Sequence, residues 1–256
     1  MRAMIKVEME KLFCSKRFYL CILGLIVGMQ LNALELLNYY GIYGYTNIHE
    51  VYLRGHTEGF CLLGFILCVA GGGISFCIEQ KGQCVRYITL RGNAESYGIG
   101  KIVSAFVGGY LITFLGFALG ELSLAVTLYV KLGSWIGITS CIPELGMDMV
   151  ELLTVSFRGS LLSVIALLVS VFIPDLFITM TSPIVIYYAW LVISGWINIP
   201  EFLDITVLYT PFYGWDSISW SQFGAGISYP FLFTLCVVCG LGCMIVRGMK
   251  WRIEHG

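Results

Sequence analysis

Apolar residues run through this chain in blocks of bilayer length, separated by shorter polar stretches. Six such blocks cover residues 18–37, 60–78, 102–130, 152–173, 176–197 and 231–246. A helix rises ~1.5 Å per residue, so ~20 residues cover the ~30 Å hydrocarbon core of a bilayer. Each block is therefore read as one crossing. Residues 1–17 follow a different rhythm. Ile5, Met9, Leu12 and Phe13 share one helical face, Arg2, Lys6, Glu10 and Lys11 lie mostly on the other, and Lys16 and Arg17 close the segment. That pattern predicts an amphipathic elbow helix in the interface, leading into the first span. The expected fold is an all-α membrane protein: six transmembrane helices after an N-terminal amphipathic elbow, forming a single transmembrane domain over residues 1–256.

Small residues and breakers refine the pattern. Gly24 and Gly28 make a small-xxx-small pair in the first span, which lets another helix approach closely and is a candidate dimer contact. Gly71, Gly72 and Gly73 fall in mid-span and predict a kink or a close helix contact. Pro174 and Asp175 predict a tight turn between the fourth and fifth spans. The stretch 198–230, with Phe202, Phe212, Trp215 and Trp220, is too apolar for an ordinary loop and is expected to hold interfacial helices.

Charge orients the spans. One side of the membrane receives Arg2, Lys6, Lys11, Lys16 and Arg17, then Lys81, Arg86, Arg91 and Lys101, then Arg247, Lys250 and Arg252. The other receives Arg54 and Lys131 alone, together with most of the acidic residues. The positive-inside rule then places both termini in the cytoplasm. Composition agrees: 58% of residues are hydrophobic and 12% charged, against about a quarter charged in soluble domains. A bacterial plasma membrane is the expected location, with lipid as the surrounding partner. The net charge of −1 supplies no basic field for nucleic acid. Most of the ten cysteines fall in apolar blocks, where cysteine acts as a small hydrophobe. No histidine accompanies Cys236, Cys239 and Cys243, so that set is not read as a metal site.

Catalytic chemistry is hard to find. The three histidines lie outside the spans, which argues against an intramembrane metalloprotease. Gly98-Ile99-Gly100-Lys101 lacks the first glycine and the final Ser or Thr of a phosphate-binding loop. Two ionisable residues fall inside spans, Glu121 and Arg158, at similar depth in the outer half. An unpaired charge there costs about 3 kcal/mol on insertion scales. Either the two form an ion pair or line the outer mouth, or Arg158 snorkels to the headgroups while Glu121 meets water. Aromatic side chains at Phe60, Phe65, Phe76, Phe177, Tyr187, Tyr188 and Trp190 could line a path for a hydrophobic substrate, or simply pack helices and build aromatic belts.

The long polar interruption is 79–101, EQKGQCVRYITLRGNAESYGIGK. Cys84, Val85 and Ile88 can form one apolar face of a short helix lying against a partner. Gly92-Asn93 then breaks that helix. Asn93 can cap the next one, with Glu95 in its first turn. An ordinary charged loop is the plainer alternative.

This layout resembles the permease subunit of ABC-2 type transporters: a basic amphipathic N-terminus, six spans, and a charged cytosolic segment after the second. In that family the segment carries an acidic residue, a glycine about three on, an arginine, and a lysine at the foot of the third span. Here Glu79, Gly82, Arg91 and Lys101 stand in that order. The proline common in the middle is absent. The resemblance implies a coupling helix, with Glu79, Gly82, Val85, Tyr87, Ile88, Arg91 and Glu95 meeting a separate cytosolic ABC ATPase subunit. The ATP and Mg would sit on that partner, with no cofactor in this chain and no catalysis of its own. It also implies a second permease copy, in a homodimer or heterodimer, and export of an amphipathic substrate such as a peptide toxin or antimicrobial peptide, or immunity to one. The competing readings are an ion-driven secondary transporter and a membrane assembly protein that transports nothing.

Overall fold

The computed structural model describes residues 1–43, 61–82, 93–132, 145–197 and 220–255. Among these residues it contains helices α1 (Arg2–Phe13), α2 (Lys16–Tyr43), α3 (Cys61–Cys68), α4 (Ser75–Lys81), α5 (Ala94–Leu132), α6 (Leu145–Phe172), α7 (Leu176–Trp196) and α8 (Trp220–His255). A π-helical turn, Val69–Gly73, joins α3 to α4, and the described residues form no strand.

Among the described residues, four segments are long and apolar enough to cross a bilayer: Ala94–Thr127, Met149–Phe172, Leu176–Trp196 and Gly226–Ile253. α1 with Lys16–Leu31 makes a fifth if the pair, bent by 52°, counts as one span. The chain is thus an all-helical, multi-pass membrane protein.

The bundle is built around α5 and α6, with α1 and α2 against α5, and α7 and α8 against α6. The α6 span is 72% buried, against 17% for the α7 span and 28% for the α8 span. Glycine allows the central approach. A Cβ on Gly109 would lie 2.7 Å from the Gly159 carbonyl oxygen and 3.0 Å from Ser160 Cα. Lipid tails are as apolar as leucine, so helices associate in a bilayer by close packing and polar contacts rather than by escape from water. α6 accordingly buries Ser156, Ser160, Ser163 and Ser170. Three of their hydroxyls donate back to carbonyls of their own helix: Ser156 to Leu152 at 2.6 Å, Ser160 to Phe157 and Ser170 to Leu167, both at 2.7 Å. α2 and α5 share a polar tie, in which Gln30 Nε2 donates to Ser123 Oγ at 2.5 Å and Thr127 Oγ1 donates to Gln30 Oε1 at 3.3 Å.

The glycine run at 71–73 produces both the break and the close contact expected of it. A Cβ on Gly72 would lie 3.1 Å from the Ala105 carbonyl oxygen, and one on Gly73 would lie 2.7 Å from that of Ser163. The π-turn therefore sits where α5 and α6 meet, and divides the second apolar block into α3 and α4. The turn at Pro174-Asp175 is also present. Asp175 Oδ1 caps α7 by accepting from the Phe177 and Ile178 amides at 2.9 and 3.0 Å. At the other side of that joint, Arg252 Nη2 donates to the Phe172 carbonyl at 2.5 Å.

Two expectations are corrected. α1 does not bury the Ile5, Met9, Leu12 and Phe13 face. Leu12 is buried, Ile5 and Met9 are half-buried, Phe13 is 40% exposed, and Glu8 is inside at 2%. Its inward face is turned toward α5 because a buried lysine there holds Glu8, as described below. Gly24 is engaged within the chain, since a Cβ there would lie 3.1 Å from Leu67 Cδ1 of α3. Gly28, one turn on, is buried as well. That pair serves internal packing rather than an open dimer face.

Gly109→Ala is expected to lower stability by about 1–3 kcal/mol through overpacking. Gly240→Ala, with nothing within 4 Å of the added Cβ, should be neutral or stabilising. Thermal unfolding of the two purified variants in detergent checks the contrast.

Candidate functional site

α5 starts as the sequence requires. Asn93 Oδ1 accepts from the Glu95 amide at 3.1 Å, and the Asn93 carbonyl accepts from the Tyr97 amide at 3.1 Å. From that start, Tyr97, Lys101, Ser104 and Gly108 follow at helical spacing along one face. α1 crosses this face closely. A Cβ on Gly100 would lie 3.3 Å from Glu8 Cγ, and one on Gly108 would lie 3.1 Å from Leu12 Cδ1. α4 brings Glu79 to the same place.

Two cations and two anions interlock there. Lys101 Nζ lies 2.6 Å from Glu8 Oε2 and 2.8 Å from Glu79 Oε1, with the Lys101 and Glu8 side chains 1% and 2% exposed. Lys11 Nζ closes the ring at 2.8 Å from Glu8 Oε1 and 3.1 Å from Glu79 Oε1. The Tyr97 hydroxyl donates to Glu79 Oε2 at 2.6 Å, and its ring centroid lies 5.5 Å from Lys101 Nζ. Burial alone would push the Glu79 carboxyl up. Lys101, the Tyr97 hydroxyl and Lys11 together outweigh it and hold the group below its ordinary 4.5. Beside the cluster lies a cavity of about 330 Å³, whose lining includes Lys11, Ser15, Arg17, Ser75, Glu79 and Ser104.

The cluster joins both ends of the polar segment to the bundle. Glu79 precedes it on α4 and Lys101 follows it on α5, and α1 is bound to both. Gly82 ends α4, its amide donating to the Ile78 carbonyl at 3.0 Å. Glu95 lies 3.9 Å from Lys250 of α8, and Lys81 lies 3.9 Å from Asp175 ahead of α7. Val85, Tyr87, Ile88 and Arg91 lie outside the described residues.

Glu8, Lys11 and Tyr97 were not read from the sequence as members of this site. The signal was local. Glu8 stands at i±4 from Met4 and Leu12, on the apolar stripe of α1, where an unpaired carboxylate would not be tolerated.

Within the spans, the structure records no ion pair between Glu121 and Arg158 among the described residues. Successive helical residues turn by ~100°. Gly159 is the residue that faces α5, so its neighbour Arg158 is carried round toward α3 and α7. Its guanidinium lies 5.2 Å from the Phe65 ring and 5.9 Å from the Tyr187 ring. The aromatic residues expected to line one path do not share a surface. Phe76 is buried against Tyr97 at 6.3 Å, beside the charge cluster, while Phe177 and Tyr188 are 75% and 41% exposed. Phe65 and Tyr187 do meet, edge to face at 4.8 Å, with Trp190 half-buried one turn along α7. Phe60 lies outside the described residues.

Compared with known proteins, the chain matches no protein-family model, no curated sequence and no solved structure.

Removing the central cation with Lys101→Met leaves two carboxylates with Lys11 as their one remaining cation in the cluster and is expected to cost about 3–5 kcal/mol, read as a loss of thermal stability in detergent. The Glu79 carboxyl is depressed in the folded state. Its contribution is therefore present above pH 4.5 and disappears as pH falls through the lowered folded value. The difference in melting temperature between the unsubstituted protein and Glu79→Gln should be full at neutral pH and close on acidification below 4.5.

Proposed function

We propose that this chain is the transmembrane permease subunit of an ATP-driven exporter of the ABC-2 type. A separate cytosolic ATPase would power it, carrying the ATP and Mg. The observation that carries the proposal is the buried ion cluster. The polar segment is held at both ends, by Glu79 on α4 and Lys101 on α5, and those two side chains are tied to each other and to α1. A segment anchored in this way can pass a push from a docked motor directly to α1, α4 and α5. A loop hung from solvated ends could not.

In this proposal the chain crosses a bacterial plasma membrane six times. The bent α1–α2 pair and the broken α3–π-turn–α4 unit complete the four unbroken spans. Both termini face the cytoplasm. Val85, Tyr87, Ile88 and Arg91 present the docking surface for the ATPase, flanked by Glu79, Gly82 and Glu95. A second permease copy completes the pathway, and the cargo is an amphipathic molecule, best matched by a peptide.

Affinity purification of the full chain from its own membranes should bring down an ATPase with a phosphate-binding loop. Cargo should stimulate ATP hydrolysis by the reconstituted complex. Tyr87→Ala and Arg91→Glu should leave insertion and hydrolysis intact but abolish transport. Failure to recover any ATPase would overturn the proposal, and transport driven by an ion gradient without ATP would replace it with a secondary transporter.

A further inference from the structure

Arg158 stands half-buried near the middle of α6, without a counter-charge among the described residues. The α6 span runs from Met149 to Phe172. At ~1.5 Å per residue, Arg158 is about 13 Å from one end and about 21 Å from the other. An arginine side chain cannot reach the headgroups over those distances without distorting the bilayer. Among the described residues it has no carboxylate within ion-pair distance. Its contacts are the faces of Phe65 and Tyr187, at 5.2 and 5.9 Å. Aromatic faces offset part of the desolvation of a guanidinium, worth about 2 kcal/mol when dry, but leave its hydrogen-bond donors unused. A second orphan donor lies on α7, near Tyr187 in sequence. Trp190, one turn beyond Tyr187 and so on the same side of α7, has a buried indole Nε1 with no hydrogen-bond partner among the described residues.

From this we infer that Arg158, cradled by Phe65 and Tyr187, is an intramembrane binding site for the carboxylate of an amphipathic molecule that enters the bundle. The planar fork of guanidinium donors matches a carboxylate in bidentate fashion, and a dry surrounding strengthens the pair. Depth decides against the phosphate of a resident lipid. Headgroups begin ~15 Å from the bilayer centre, whereas Arg158 lies about 4 Å from the middle of its span. The anion must be brought inward by a molecule with its own apolar body. The inference rests on the exporter proposal only for treating that molecule as cargo. Binding itself needs no ATPase, so the two can fail separately.

The test uses the full chain in nanodiscs of zwitterionic lipid, with N-dodecanoylglycine and its uncharged amide as probes below their micelle concentrations. The carboxylate probe at about a hundredfold over its Kd should raise the melting temperature by about 5 °C or more, and the amide should not. Arg158→Gln should abolish the shift while melting at or above the unsubstituted protein when no probe is present, because it removes an unpaired charge. Arg158→Lys should retain part of it. Equal responses to acid and amide, an undiminished shift in Arg158→Gln, or a strong loss of probe-free stability in Arg158→Gln would each overturn the inference. So would an Arg158-dependent shift produced by phosphatidylglycerol, since it would put a lipid phosphate where the depth argument forbids one.

Discussion

Taking a charge out of water costs several kcal/mol even after relaxation, and that cost governs how this bundle is closed where α1, α4 and α5 meet. Lys101 has a side chain 1% exposed, so it is tolerable only with anions in contact, and it has two. Neither anion is local. Glu8 arrives on the N-terminal helix and Glu79 on the helix after the π-turn, and each would be a costly buried acid without the lysine. The three positions therefore specify one another. With Lys11 the group is neutral overall, so it locks a geometry without adding a local field. α1 is bent by 52° from α2 and held by this cluster and by Leu12. A helix that the amphipathic pattern would lay on the membrane surface has become a wall of the bundle.

The second constraint is closeness. α1 crosses α5 over Gly100, Ser104 and Gly108, the π-turn reaches α5 and α6 through Gly72 and Gly73, and α5 meets α6 at Gly109 and Gly159. These contacts bring backbone near backbone, where dispersion and weak polar contacts can substitute for the missing hydrophobic drive. They also set the depth at which Glu79 meets Lys101. Widening the crossing at Gly72 would move α4 outward and stretch ion pairs of 2.8–3.1 Å. Packing and electrostatics are thus coupled at this joint.

How much of this was legible in the sequence varies with the physics involved. Long apolar blocks gave the helices of α2, α5, α6, α7 and α8, because bilayer thickness imposes length directly. Asn93 announced its cap, Pro174 and Asp175 announced a turn, and three successive glycines announced a break. The position of Glu8 was harder to see. In water, an acid on a short basic helix is ordinary, so its place on the apolar stripe between Met4 and Leu12 is easily passed over, and the cation it needs arrives only from residue 101. The Glu121–Arg158 pair failed for a related reason. Equal depth on two helices says nothing about the angle around them, and one residue's turn separates the face that meets α5 from the face that meets Phe65 and Tyr187.

Two cations set inside the bundle, the buried Lys101 and the half-buried Arg158, define opposite roles by their surroundings. Lys101 has its charges met at 2.6 and 2.8 Å, with a tyrosine ring completing the shell. Its charge faces two carboxylates, and its role is to hold α1, α4 and α5 together. Arg158 has ring faces but no anion among the described residues, so its guanidinium keeps the capacity that Lys101 has used. If both sites were structural, the membrane would be expected to favour the same solution twice, a carboxylate within 3 Å. That it did so once, where the polar segment joins the bundle, and not in the middle of α6, separates an anchor from a place where something else is to bind.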